Sequence, residues 1–252
     1  MTDTYTVGVR PRLELRVPSG RIRIGPGAQG SITIDVSGRG ADALEVGQSG
    51  DTVYVRRLQG GNWLRSGSVV VDAVVPNGCE IDVSVASADL DIRGEMGATS
   101  VKTASGTVRA ETVSSLSVSS ASGDVDVQMV TGDADCSCAS GDVSLGEVGG
   151  RLTAKLASGD LEVGRAASMA RCSSASGDLR IHRFEGDDVT VRSVSGDVTV
   201  AFPTGIRLEA DCTSLSGAIR FPEGGGSPVE GERRTVRLSG RSVSGGIRVE
   251  RY

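Results

Sequence analysis

The most regular chemical groups in this sequence are carboxylates. Asp124, Asp142, Asp160, Asp178 and Asp197 each follow a Ser-Gly step, and Asp89 follows a Ser-Ala step before them. If the fold stacks these positions at the ~4.8 Å spacing of neighbouring strands, the charges repel one another. Calcium would relieve that repulsion, as in other β-solenoids that bind it in glycine-rich turns. A hard cation, however, takes about six or more oxygens, and each turn here offers one carboxylate. The five aspartates therefore read as a structural turn ladder, in which each Asp or its Ser neighbour accepts a hydrogen bond from turn N–H groups. No metal and no cofactor is expected.

Other candidate chemistry dissolves on inspection. His182 is the only histidine, which removes His-based zinc clusters and leaves a Ser-His-Asp triad a single possible base. It lies on an alternating stretch between Arg180 and Arg183, so it reads as an exposed surface side chain. Gly25 to Gly30, "GPGAQG", fits G-x-G-x-x-G, but a strand-like "SITIDV" follows where the dinucleotide fingerprint requires a helix N-terminus. It reads as a hairpin-like turn. The five cysteines include Cys136, Cys138 and Cys172 at inward positions. Cys136 and Cys172 share a column but lie two coils apart, roughly 9.6 Å, beyond disulfide reach, so they read as buried small hydrophobes. No catalytic residue is expected.

The elements that hold these groups follow from their spacing. The Ser of each Ser-Gly or Ser-Ala step stands at positions 87, 105, 122, 140, 158, 176, 195, 216 and 244, at intervals of 18, 17, 18, 18, 18, 19, 21 and 28. A period near 18 that later stretches is the mark of a solenoid whose repeats stack on their neighbours. Within one repeat, Val143 and Leu145 alternate with polar residues, and Leu152, Ala154 and Leu156 do so after Gly149-Gly150. Alternation at period two means strand. Each coil therefore holds two short strands and two corners. A flattened, two-sheeted solenoid is favoured over the three-sided hexapeptide helix.

The second corner carries Gly97, Gly132, Gly150, Gly186 and Gly205, which suits the positive φ of tight turns. Before the Ser-Gly step stand Ala86, Ala104, Ala121, Ala139, Ala157 and Ala175, then Val194, Leu215 and Val243. Read as inward residues, they predict a narrow corner that widens towards the C-terminus. Val125, Val143, Leu161, Leu179 and Val198 are expected to form one buried column. Residues 1–85 read as less regular strands and coils of the same solenoid, and 86–252 as its regular part with an inserted loop at 222–235.

Charge and composition bound the partners. The net charge of −5 and the scarcity of lysine argue against a nucleic-acid surface, and no outward face reads as a repeated aromatic or basic column. The arginines of "YVRRLQGGNWLR" and "GERRTVRLSGRS" read as solvated loops and strand edges. No apolar run is long enough to span a membrane, and the N-terminal residues do not form an export signal, so a cytoplasmic location and no membrane insertion are expected.

The stretch "VVVDAVVPNGCEIDVSVASADLDIRG" with the serial Ser-Gly-Asp-Val steps resembles the bacterial adhesin-like family of unknown function, whose repeat-built β-solenoid is called a toast-rack domain. The specific part is Val75-Pro76-x-Gly78 leading through Ile81 and Val83 to Ser87-Ala88-Asp89. The resemblance implies an all-β, right-handed parallel β-solenoid, no known catalytic residues and a loose association with envelope-stress systems.

Three function classes follow. The leading one is a non-enzymatic scaffold or protein-binding module. The second is a self-assembling structural protein resembling bactofilins, and the third a carbohydrate-binding or carbohydrate-active β-helix, which aromatic residues at 3% disfavour. Partner contacts are assigned to Trp63 and Arg65 in the loop Leu58 to Gly67, because Trp and Arg are enriched at binding hot spots. They are also assigned to Ile247, Val249 and Tyr252, on a final strand expected to present a free edge to another protein or a second copy of the chain.

Overall fold

The computed structural model describes residues 2–58, 67–222 and 234–252. The chain forms two compact units, Met1–Met129 and Val130–Tyr252. Each is a β-solenoid built almost entirely of strands.

In the first unit the regular coils come from β2 (Arg12–Gly27), β7 (Glu80–Ser105) and β8 (Val108–Ser122). β7 lies parallel to both of the others, with Leu13 opposite Ile81 and Leu90 opposite Val108. Less regular strands open the unit: β1 (Thr2–Thr6), β3 (Ser31–Gly38), β4 (Leu44–Ser49), β5 (Thr52–Arg57) and β6 (Val69–Pro76). β6 pairs parallel with β2 and antiparallel with β3, so it lies between them. The Gly25–Gly30 stretch is thus a turn into a strand, but not a hairpin, because β6 separates the two strands it joins. β9 (Val125–Val130) carries the chain into the second unit.

The second unit has two strands per coil and therefore two parallel ladders. The first contains β10 (Ala134–Ser140), β12 (Leu152–Ser158), β14 (Ala170–Ser176) and β16 (Asp188–Ser195). The second contains β11 (Val143–Val148), β13 (Leu161–Ala166), β15 (Leu179–Phe184) and β17 (Val198–Phe202). Identical register in every step aligns the inward residues into columns. Val143, Leu161, Leu179 and Val198 are paired in succession, and all are at most 1% exposed. Val125 is buried at the equivalent position of the first unit. Removing such a side chain from water contributes about 1.5–3 kcal/mol, so the columns are the main source of stability.

Strand parity corrects the reading of the Ser-Gly corner. In β10 the inward residues are Ala134, Cys136 and Cys138, so Ala139 points outward. The same parity turns Ala157 and Ala175 out, and leaves Val194 and Val243 54% and 45% exposed. These side chains cannot widen the core. Volume is added at the other corner instead, where Phe184 and Phe202 are fully buried and meet edge to face with centroids 5.7 Å apart.

Glycine at the Ser-Gly corner answers two constraints at once. Gly159 has φ +124°, and a Cβ there would lie 2.1 Å from the Gly141 carbonyl oxygen of the preceding coil. The second corner is mixed: Gly205 has the expected positive φ, +81°, whereas Gly150 and Gly186 do not, and what demands glycine there is close approach, with a Cβ on Gly186 falling 2.0 Å from the Ser168 carbonyl oxygen.

Candidate functional site

The aspartates after the Ser-Gly steps are joined through the backbone. In the second unit Asp142 Oδ1 accepts the N–H of Asp160, Asp160 Oδ1 that of Asp178, and Asp178 Oδ1 that of Asp197, each at 2.8 Å. Asp197 Oδ1 accepts the N–H of Gly246 at 2.7 Å, and glycine at that position supplies no further carboxylate. In the first unit Asp89 Oδ1 takes the Thr107 N–H, and the Asp124 carbonyl accepts the Val108 N–H. The carboxylates of Asp89, Asp142, Asp160, Asp178 and Asp197 therefore each meet an amide dipole from the next coil. Among the described residues, no group of three or more His, Cys, Asp or Glu is gathered as a metal site.

The remaining reactive groups are dispersed. His182 Nε2 lies 2.7 Å from Glu162 Oε1 on the exposed surface. All five cysteines are free, and only Cys212 is not buried. Cys136 and Cys172 occupy one column with Ala154 between them. Burial pushes the Cys172 thiol up to about 12 and raises that of Cys136 as well. Arg165 bridges Glu147 and Glu185, and its hydrogen bond holds the Glu185 carboxyl below the usual glutamate range.

The C-terminal strands are ordered differently in space and in sequence. β18 (Arg207–Ser214) and β19 (Ile219–Arg220) precede β20 (Thr235–Ser244) and β21 (Ile247–Arg251) along the chain. Yet β20 pairs with β16 on one side and β18 on the other, and β21 likewise lies between β17 and β19. The last coil in sequence is thus inserted, and the outermost coil is β18–β19. This relocates the expected free edge. Ile247 and Val249 are core residues, 1% and 3% exposed, and cannot offer side chains to a partner. Tyr252 is partly exposed, bonded through its N–H to the Phe202 carbonyl, with the Arg183 guanidinium over its ring. Trp63 and Arg65 lie outside the described residues, as does most of the 222–235 insertion.

The outermost coil carries what the C-terminal strand was expected to carry. Among the described residues, β18 pairs only with β20 and β19 only with β21. Leu215 is 78% exposed, and Ile219 and Phe221 are also exposed. Leu208, opposite the buried Val236, is only half-buried because no described coil lies beyond it.

The Toastrack DUF4097 family matches residues 11–249, nearly the whole span of these coils. The chain belongs to that family. Two solved structures share the toast-rack fold. An adhesin-like protein from Parabacteroides distasonis is 10% identical with a TM-score of 0.53, covering 96% of each chain. Another from Parabacteroides merdae is 11% identical with a TM-score of 0.51, covering 100% of this chain and 95% of that one. Among proteins of curated function, none matches this toast-rack chain. Among its described residues no helix is long and apolar enough to cross a membrane.

Proposed function

We propose that this toast-rack chain is a non-enzymatic scaffold that docks another protein chain on its outermost coil, β18–β19. The observation that carries the reading is an edge unpaired among the described residues beside Leu215, Ile219 and Phe221, all exposed. An incoming strand would satisfy the free backbone groups, while the apolar side chains would supply contact area. A second copy is the simplest occupant, because it presents the same edge and can close a symmetric pair. Arg207, Glu209 and Asp211 on β18 moderate the edge and favour a closed complex over an open filament.

Light scattering across a concentration series tests this. The native chain should show a mass that rises towards a dimer, and Leu215→Asp with Ile219→Asp should remain monomeric with an unchanged melting curve. A native chain that stays monomeric, and captures the same cellular proteins as the double variant, would show that the edge docks nothing.

A further inference from the structure

Sequence order hides a basic surface that the register assembles on the first ladder of the second unit. Lys155 pairs with Ser173 and Ser173 with Arg192, while Thr153 pairs with Arg171 and Arg171 with Thr190. The six form a checkerboard in which cations and hydroxyls alternate both along and across the strands. Together they line a shallow groove of ≈ 570 Å³. Arg241 extends it, directly opposite Arg192 on the next strand. No unbroken basic column forms, as expected, but the register gathers the scattered cations onto one face.

Among the described residues, none of these four cations has a carboxylate partner. The ion pairs of the second unit involve Arg165, His182, Arg207 and Arg234 instead. The neighbouring acids stand at the margins. Asp135 lies beyond Thr153 in the Arg171 column, Asp211 lies beyond Ser239, and Asp188 pairs in register with Arg237. Arg192 and Arg241 sit on adjacent strands, ~4.8 Å apart at the backbone, where like charges repel unless an anion lies between them. A patch of unneutralised cations on a chain of net charge −5 is complementary to an anion supplied from outside.

We infer that this face binds an acidic polysaccharide. Three features select that occupant among polyanions. The hydroxyls of Thr153, Ser173 and Thr190 offer hydrogen bonds to sugar hydroxyls as well as to oxyanions. Among the described residues, no aromatic side chain stands on this face to stack nucleobases, which single-stranded nucleic acid binding uses. Lys155 and Arg192 are two coils apart, ~9.6 Å, a separation of the order of two sugar units along an extended chain, so successive cations can meet acid groups on every second sugar. Recognition would rest on charge and hydrogen bonds, which removes the objection that this chain has few aromatic residues.

The test uses the full chain with heparin and polygalacturonate as probes, and neutral dextran, an oligo-dT strand and vesicles of phosphatidylcholine with phosphatidylglycerol as comparisons. The native protein should bind both acidic polysaccharides saturably at low ionic strength, weaken as salt rises and ignore dextran. Lys155→Ser, Arg171→Thr and Arg192→Ser combined should lower affinity at least tenfold and flatten the salt dependence. Those residue types already occupy this face, so the fold should persist. Arg57→Ser, on β5, should change nothing. No saturable binding by the native chain, or a triple variant within twofold of it, overturns the inference. So does equal or tighter binding of the oligonucleotide or the anionic vesicles.

Discussion

Asp160 Oδ1 accepts the backbone N–H of Asp178 at 2.8 Å, so a side chain of one coil is bonded to the main chain of the next. Asp160→Ala removes the acceptor and should cost about 0.5–1.5 kcal/mol, whereas Asp160→Asn keeps an oxygen in place and should cost less. Urea unfolding of both variants measures the difference. Equal stability for alanine and the native chain would mean that water satisfies the amide.

Gly159 at φ +124°, with the Gly141 carbonyl oxygen 2.1 Å from where a Cβ would stand, allows no larger residue without backbone movement. Gly159→Ala should lose at least about 1–3 kcal/mol. Gly25 has open space around its Cβ position and no positive φ, so Gly25→Ala should be close to neutral. Thermal unfolding of the two variants side by side checks the contrast.

Leu161 and Val194 distinguish the two sides of the strands. Leu161, 1% exposed, should lose about 2–5 kcal/mol on truncation to alanine, and Leu161→Asp should prevent folding by placing an unpaired carboxylate in the core. Val194→Ser should change stability little, since Val194 is already 54% exposed. A large loss at Val194 would reverse the parity assigned to the Ser-Gly corner.

The thiols should react unequally. Burial holds the Cys79 and Cys172 thiols near 12 and raises that of Cys136, so all three stay protonated and shielded at neutral pH. Cys212 is less buried. Titration of the native chain with a thiol reagent at pH 8 should show one thiol modified first, and peptide mapping should place it at Cys212. Rapid modification of Cys172 would contradict its place in the column.

Glu185 carries a pH signature. The Arg165 hydrogen bond lowers its pKa in the folded state, so the contribution is present above the ordinary glutamate range. It is lost as pH falls through the depressed value. The side-chain carboxyl resonance should titrate below that of a free glutamate, and Arg165→Ala should raise the midpoint.

Much of the architecture was legible in the chain because a solenoid repeats its own constraints. The Ser-Gly-Asp spacing alone sets the coils, and period-two alternation alone puts Val143, Leu161 and Leu179 in one buried column. Alternation also fixes which way each residue points, and it turns Ala139 outward although its small size suggests burial. Two features needed the tertiary structure. The insertion of β20 and β21 between β16–β17 and β18–β19 is invisible in sequence, because strand pairing depends on which edge is available and not on chain order. It buries Ile247 and Val249 and leaves Leu215 outermost. The basic checkerboard was equally hidden, since Lys155, Arg171 and Arg192 are separated along the chain by about a coil each. Only parallel pairing at ~4.8 Å turns that separation into one surface.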